Sequence, residues 1–150
     1  MTGMRSLADW LAEYAESHRH PVNKWVHWIC VPAIMWSVLG LLWALPEVPF
    51  NWASAIAALA LLYYFFLSAR LAFGMLPIVM AMLGMLLGLD AIGAPVVAIS
   101  IGVFAAAWIA QFWGHHVEGR RPSFFKDVQF LLIGPLWLLA DVYRRFGISC

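Results

Sequence analysis

The sequence predicts an all-α fold: an integral membrane four-helix bundle, with an interfacial helix at the N-terminus and a re-entrant or interfacial helical hairpin at the C-terminus. Hydrophobic residues make up 64% of the 150 residues and charged residues only 11%, which is far from the balance of a soluble domain. Four apolar stretches also approach the roughly 20 residues that a helix needs to cross hydrocarbon. We expect one membrane-embedded helical domain over residues 1–150, because the chain is too short for a second domain of ordinary size.

The four apolar stretches are joined by short connections. They run over residues 25–45, 52–68, 71–89 and 91–113. Short connections favour antiparallel neighbours, so an even number of crossings returns the chain to its first surface. All basic residues fall on that surface: Arg5, Arg19, Lys24, Arg70, Arg120, Arg121, Lys126, Arg144 and Arg145. The opposite loops carry Glu47 and Asp90, so the positive-inside rule predicts that both termini are cytoplasmic.

The N-terminal sequence, the net charge and the cysteines indicate where the protein is located and which partners it binds. No secretory signal begins the chain, so we expect the first membrane segment to be retained in a bacterial inner membrane, or in the ER membrane if the source is eukaryotic. The net charge is +1 and no dense basic stripe is present, so the expected partner is the lipid bilayer and not nucleic acid. Cys30 and Cys150 do not form a disulfide framework, and the oligomeric state stays open.

Two shorter elements flank the four stretches. Ser6 with Asp9 resembles a capping box, and an apolar face repeats at helical spacing after it, which predicts a helix on the membrane surface. The apolar run 128–140 is too short to span and contains Gly134 and Pro135. It fits a re-entrant or interfacial hairpin that covers the functional site.

All five histidines lie in two polar patches on either side of the apolar sequence. His18, His20 and His27 are near the start, and His115 and His116 follow the fourth stretch. An even number of crossings brings both patches to the same membrane surface. This arrangement predicts a membrane-embedded metal site.

Helical spacing selects the ligands within each patch. His18 lies four residues after Tyr14, and the turn after His20 redirects the chain so that His27 enters the membrane. In the second patch, Gln111, His115 and Glu118 follow one stripe. The predicted metal ligands and catalytic residues are therefore these: His18, His27, His115 and Glu118. His20 and His116 are ranked as accessory, since His116 points about 100° away from the stripe.

The ligand types indicate the metal. Neutral imidazole with one carboxylate is the set expected for non-haem Fe(II) and O2 chemistry, which places iron ahead of zinc. Tyr14, Asn23 and Gln111 either orient these ligands by hydrogen bonds or solvate the interface, and the sequence leaves this open. Each histidine alone also fits an anchor in the head-group layer, and Glu118 alone fits an ion pair with Arg121 at the helix end.

The chain also resembles a known family over most of its length. The residues that match the family pattern are in the two polar patches: Tyr14, His18, Asn23, His27, Pro32, Gln111, Gly114, His115, Glu118 and Pro122. This pattern resembles the Mpo1-like family of small membrane proteins. One departure is Ser123 after Pro122, where the family motif often has alanine.

The resemblance implies an Fe(II)-dependent dioxygenase that shortens 2-hydroxy fatty acids by one carbon in alpha-oxidation. On this hypothesis O2 is the second substrate and CO2 is released. The candidates for attracting the substrate carboxylate are Arg19, Lys24, Arg120 and Arg121, although we prefer to interpret them as topology determinants facing lipid phosphates. The alternative function is a non-enzymatic membrane lipid-binding or scaffold protein. Substrate chain length and stereochemistry, and the number of irons, stay open.

Overall fold

A computed structural model describes residues 5–46, 50–125 and 128–149. The helices are α1 (Leu7–Glu16), α2 (Pro21–Trp43), α3 (Trp52–Leu67), α4 (Ala69–Ala91), α5 (Val96–Glu118), a short 3-10 helix (Ser123–Phe125) and α6 (Phe130–Arg145). No strand occurs within the described ranges, so the all-α prediction is confirmed. Glu47 and Lys126, to which the sequence analysis assigned a side of the membrane, and Cys150, for which it expected no disulfide, lie outside the described residues.

Three of these helices are long and apolar enough to cross a membrane. Helices α2, α4 and α5 have 23 residues each, or about 34 Å at the helical rise per residue. Helix α3 has 16 residues, or about 24 Å, which is shorter than the hydrocarbon core. The structure therefore agrees with a membrane location, while a bundle of four crossings stays a prediction that depends on α3.

Helices α2 and α5 pack closely because glycine occurs where their backbones approach. A Cβ atom on Gly40 would overlap the Ser100 hydroxyl, and one on Gly114 would lie 2.6 Å from Asn23 Oδ1. Neither position has room for a side chain. This contact places the start of α2 beside the end of α5.

Helix α1 begins at the predicted capping box. The Ser6 hydroxyl accepts from the Asp9 N–H at 3.2 Å, and the Asp9 carboxylate accepts from the Ser6 N–H at 3.0 Å, which satisfies two donors at the helix start. The apolar face of α1 is buried against α6, where the Trp10 ring meets the Phe130 ring edge-to-face at 5.1 Å. Helix α1 is thereby fixed over the bundle.

The predicted C-terminal hairpin is wrong, because α6 is one continuous helix through Gly134 and Pro135. An internal proline costs about 3 kcal/mol, and tertiary packing offsets this cost. Gly134 lies directly against the Tyr14 hydroxyl, which a Cβ atom would approach to 2.9 Å. The following residues, Pro135 and Leu136, are buried. Helix α6 therefore packs against α1 as one continuous helix.

Candidate metal centre

Two of the predicted ligands lie on either side of the turn between α1 and α2. The Nδ1 atom of His18 is 2.6 Å from the Tyr14 carbonyl oxygen, and the Nδ1 atom of His27 is 2.9 Å from the Asn23 carbonyl oxygen. Because a carbonyl oxygen only accepts, Nδ1 must be the donor in both rings. The proton is thus on Nδ1, and the lone pair of each Nε2 is free for another partner.

The free nitrogens converge with a third histidine. The Nε2 atoms of His18 and His27 are 2.9 Å apart. His115, at the end of α5, places its ring centre 4.9 Å from His18 and 5.0 Å from His27, with the planes 74° and 87° apart. One nitrogen of each ring lies within 4.8 Å of the others. The structure therefore brings together three of the four predicted ligands, from both patches.

The three imidazoles are buried at 1%, 1% and 3% exposure. Burial lowers the pKa of His18 to about 2, which keeps this ring in the neutral form that coordinates metals. The Nδ1 atom of His115 is buried and has no hydrogen-bond partner among the described residues. An unpaired buried nitrogen costs about 1–3 kcal/mol, and coordination to a metal would remove that cost.

The spacing of the nitrogens fits a transition metal. With metal–nitrogen bonds of about 2.1 Å, two ligand nitrogens at right angles lie about 3.0 Å apart, and at a tetrahedral angle about 3.4 Å. The 2.9 Å between the His18 and His27 nitrogens matches right angles. The third histidine, His115, has a ring nitrogen within 4.8 Å of the other two. The three residues could therefore hold one divalent metal ion, and three protein ligands would leave coordination positions for other groups.

The structure does not bring Glu118, the fourth predicted ligand, into this group. Its carboxylate accepts from the main-chain N–H of Arg19 at 2.9 Å and of His20 at 2.7 Å, and from Asn23 Nδ2 at 3.3 Å. These N–H groups precede α2, where the helix offers no acceptor and where negative charge is favoured. Glu118 thus fixes the turn after His18 to the end of α5, and three histidines take the place of the expected histidine–carboxylate pair.

The three predicted orienting residues all lie beside the ligands. The Tyr14 ring stacks on the His18 ring at 4.1 Å. Asn23 orients His27 through its carbonyl group, while its amide donates to the Ser17 carbonyl at 3.0 Å. Gln111 is buried and its side chain interacts with His27. These contacts hold the rings of His18 and His27 in position.

The accessory histidines and the basic candidates lie outside the group. The His20 ring accepts from the Val22 N–H at 3.2 Å and caps α2, and His116 is exposed. The four candidates for the substrate carboxylate are also exposed: Arg19, Lys24, Arg120 and Arg121. Arg19 and Lys24 line a separate cavity with His18, and Arg120 and Arg121 line another with His115. No described lysine or arginine lines the small cavity that all three histidines border.

That cavity has a volume of about 40 Å³. Its polar lining residues are the three histidines with Tyr14, Gln111 and Ser123. Its apolar lining residues include Val31, Ile34, Phe124, Phe130 and Leu131. A cavity lined by both kinds of residue suits a ligand that is itself amphipathic.

The sequence analysis missed two features of this cavity. Ser123, noted only as a departure from the family motif, shares a hydrogen bond between hydroxyl groups with Ser17, which ties the short 3-10 helix to the turn before α2. Trp108 also lines the cavity. Its position was readable from the sequence, because it precedes Gln111 by three residues on the same helical stripe.

Fold and site together define a class of protein: a helical protein with three helices long and apolar enough to span a membrane and a buried three-histidine group suited to a metal. The family described as "2-hydroxy-palmitic acid dioxygenase Mpo1-like" matches residues 4–146. The chain therefore belongs to the Mpo1-like family, as the two histidine patches predicted. It is similar to the 2-hydroxy-palmitic acid dioxygenase MPO1 of Saccharomyces cerevisiae (strain ATCC 204508 / S288c), with 30% identity over 148 residues that cover 97% of this chain and 84% of the yeast protein. No solved structure matches the chain.

Proposed function

We propose that this protein is an Fe(II)-dependent dioxygenase that shortens 2-hydroxy fatty acids by one carbon. The observation that carries the proposal is the buried group of His18, His27 and His115, whose nitrogens converge within 4.8 Å. Its relative from yeast is named for a dioxygenase reaction on 2-hydroxy-palmitic acid. Bound Fe(II) would supply redox chemistry with O2 and open positions for substrate oxygens.

The proposed reaction balances without a further co-reactant. The bond between C1 and C2 of the 2-hydroxy acid breaks, C1 leaves as CO2, and C2 becomes the carboxyl carbon of the shortened acid. The substrate loses four electrons and O2 gains them, so one O2 yields the shorter acid, CO2 and one water. The protein needs only to hold the metal, place the head group and exclude water.

Named residues account for these tasks. His18, His27 and His115 would hold the metal, and the Tyr14 and Asn23 carbonyl groups keep two of the rings in the required tautomer. The cavity of about 40 Å³ has room for a polar head group but not for a long alkyl chain.

We infer that the alkyl chain leaves the cavity toward the bilayer. Leu131 lines the cavity and is 46% exposed. A chain that leaves the cavity past Leu131 would continue among lipid acyl chains, where its apolar surface is already stable. The membrane location thus suits a substrate that is dissolved in the bilayer.

The first test is the metal content of protein purified in detergent without oxygen. We expect about one iron per chain in the parent protein and its loss in His18→Ala, His27→Ala and His115→Ala. His116→Ala is the matched control, since His116 is exposed, and it should retain iron. The same preparations are assayed for conversion of 2-hydroxyhexadecanoate to pentadecanoate, with one O2 consumed per product.

Two results would contradict the proposal. One is a folded protein that contains no metal and cannot be reconstituted with Fe(II), which would favour the metal-free lipid-binding protein. The other is iron content that survives in all three histidine variants.

A further inference from the structure

A buried donor beside the three histidines has no acceptor among the residues that the structure describes. Trp108 precedes Gln111 by three residues and His115 by seven on α5, so the three side chains follow one face of the helix. All three line the same cavity. The indole Nε1 atom of Trp108 is buried, and it has no hydrogen-bond partner within the described part of the chain. Buried N–H groups without partners are rare because each one loses its hydrogen bond to water.

Aromatic packing fixes the position of this indole ring. Phe124 meets it edge-to-face at 5.0 Å, Phe112 lies at 5.5 Å and Phe104 at 6.0 Å. The packing joins α5 to the short 3-10 helix and holds the ring between them. A donor held in this way loses little entropy when it meets an acceptor.

The cavity needs donors for an anionic head group. A carboxylate that leaves water requires hydrogen bonds or a positive charge. No basic side chain among the described residues lines the cavity, and the Ser123 hydroxyl is already hydrogen-bonded to Ser17. Besides a metal, the Trp108 N–H is a donor at this cavity that is buried and has no partner among the described residues, so it can bind an oxygen of the substrate without giving up another hydrogen bond.

We propose that the Trp108 indole N–H donates a hydrogen bond to an oxygen of the 2-hydroxy carboxylate head group of the substrate. This inference rests on the proposed function and names Trp108 as a substrate-binding residue for that site. Trp108 would recognise the head group through a neutral donor, in place of the basic residues that the sequence suggested. The competing explanation is that the N–H faces the ring of Phe124 and serves packing alone.

The kinetic test compares Trp108→Phe with Trp113→Phe. Trp108→Phe keeps an aromatic ring and removes the N–H, while Trp113 is on the same helix and is 55% exposed. We expect KM for 2-hydroxyhexadecanoate to rise about 10- to 100-fold in Trp108→Phe, with kcat within about threefold, because the hydrogen bond forms in both the bound substrate and the transition state. Trp113→Phe should match the parent protein. Equal KM values in all three, at equal iron content, would overturn the inference.

A spectroscopic test avoids dependence on activity. Protein labelled with ¹⁵N-tryptophan and loaded with Zn(II) is observed by NMR, and the Trp108 indole resonance is the one missing from Trp108→Phe, or from Trp108→Tyr if the first variant does not fold. Addition of 2-hydroxyhexadecanoate should move this proton resonance downfield and leave the Trp113 resonance in place. An unmoved Trp108 resonance in protein that binds the acid overturns the inference and leaves the proposed function intact. Protein that neither binds nor converts the acid overturns both.

Discussion

The three histidines show which parts of the candidate metal site can be predicted from the sequence. His18, His27 and His115 were found from their polar surroundings and helical spacing, and the structure brings them together. The groups that orient His18 and His27 are the main-chain carbonyls of Tyr14 and Asn23. The sequence indicated the right residues but not the right atoms, because every residue has a carbonyl group and only the fold decides which ones meet a side chain.

Glu118 shows the limit of spacing arguments. A carboxylate at the end of a helix can turn toward a metal or toward free N–H groups, and both choices fit the same helical stripe. The structure directs it to the N–H groups of Arg19 and His20. The difference arises from the position of the turn before α2, which no local pattern in the sequence specifies.

This placement predicts how Glu118 acts on the metal. We expect Glu118→Ala to retain one iron per chain and to weaken its affinity about 10- to 100-fold, because the turn that carries His18 loses its anchor. Glu118→Gln should lose less, since its amide oxygen still accepts from one N–H group. Titration with a competing chelator measures both affinities, with Glu16→Ala as an exposed carboxylate control. Complete loss of iron from folded Glu118→Gln would instead identify Glu118 as a ligand.

At the scale of elements, length and hydropathy specified most of the helices. The predicted stretches 25–45, 71–89 and 91–113 lie largely within α2, α4 and α5. The prediction of a hairpin at Gly134 and Pro135 was wrong because tertiary contacts were not considered. Contact with Tyr14 on α1 maintains a helix where local propensity predicts a break. Packing between α1 and α6 determines the conformation of this segment, and the local sequence pattern carries no information about that packing.

The contact between α2 and α5 gives an element-scale prediction. In Gly114→Ala the new Cβ atom would lie 2.6 Å from Asn23 Oδ1 and 3.2 Å from Val26 Cγ1. The two helices must then separate, which we expect to cost about 1–3 kcal/mol of stability and to reduce iron binding by moving His115 away from His27. Thermal unfolding in detergent and iron content provide the measurements.

Gly102→Ala is the matched control on the same helix. No atom lies within 4 Å of the Cβ position at Gly102, and alanine is the better helix former by about 1 kcal/mol. We expect this variant to be at least as stable as the parent protein and to keep its iron. Equal loss of stability in both variants would show that the close contact at Gly114 is not the cause.

At the scale of the whole molecule, the histidine group constrains the topology. His18 lies in the turn before α2, His27 near the start of α2 and His115 near the end of α5, so a chain embedded in a bilayer has to return to the same surface between them. We expect the turn between α3 and α4 at that surface as well, since the Tyr143 hydroxyl at the end of α6 donates to the Arg70 carbonyl at 3.0 Å and Arg145 at the same helix end lies over the Trp28 ring of α2. We therefore predict that α3 crosses the membrane despite its 16 residues.

The prediction concerns the two ends of α3. Leu45, before α3, and Ala69, after it, are both exposed, and cysteine at either position leaves every basic residue in place. In a Cys150→Ser background, where Cys30 is buried, we expect a membrane-impermeant maleimide to label Leu45→Cys in intact bacterial cells. Ala69→Cys should be labelled only after permeabilisation, because the basic residues keep that end cytoplasmic.

Labelling of both positions from the same side would mean that α3 lies along the surface. The two histidine patches would then be separated by an odd number of crossings, and the contact between the start of α2 and the end of α5 would be impossible in a membrane. A short α3 can still cross, because a bilayer thins locally around a helix that is too short, at a cost of fractions of a kcal/mol per Å of mismatch. The convergence of the three buried histidines therefore favours an α3 that crosses the membrane at this modest cost in free energy.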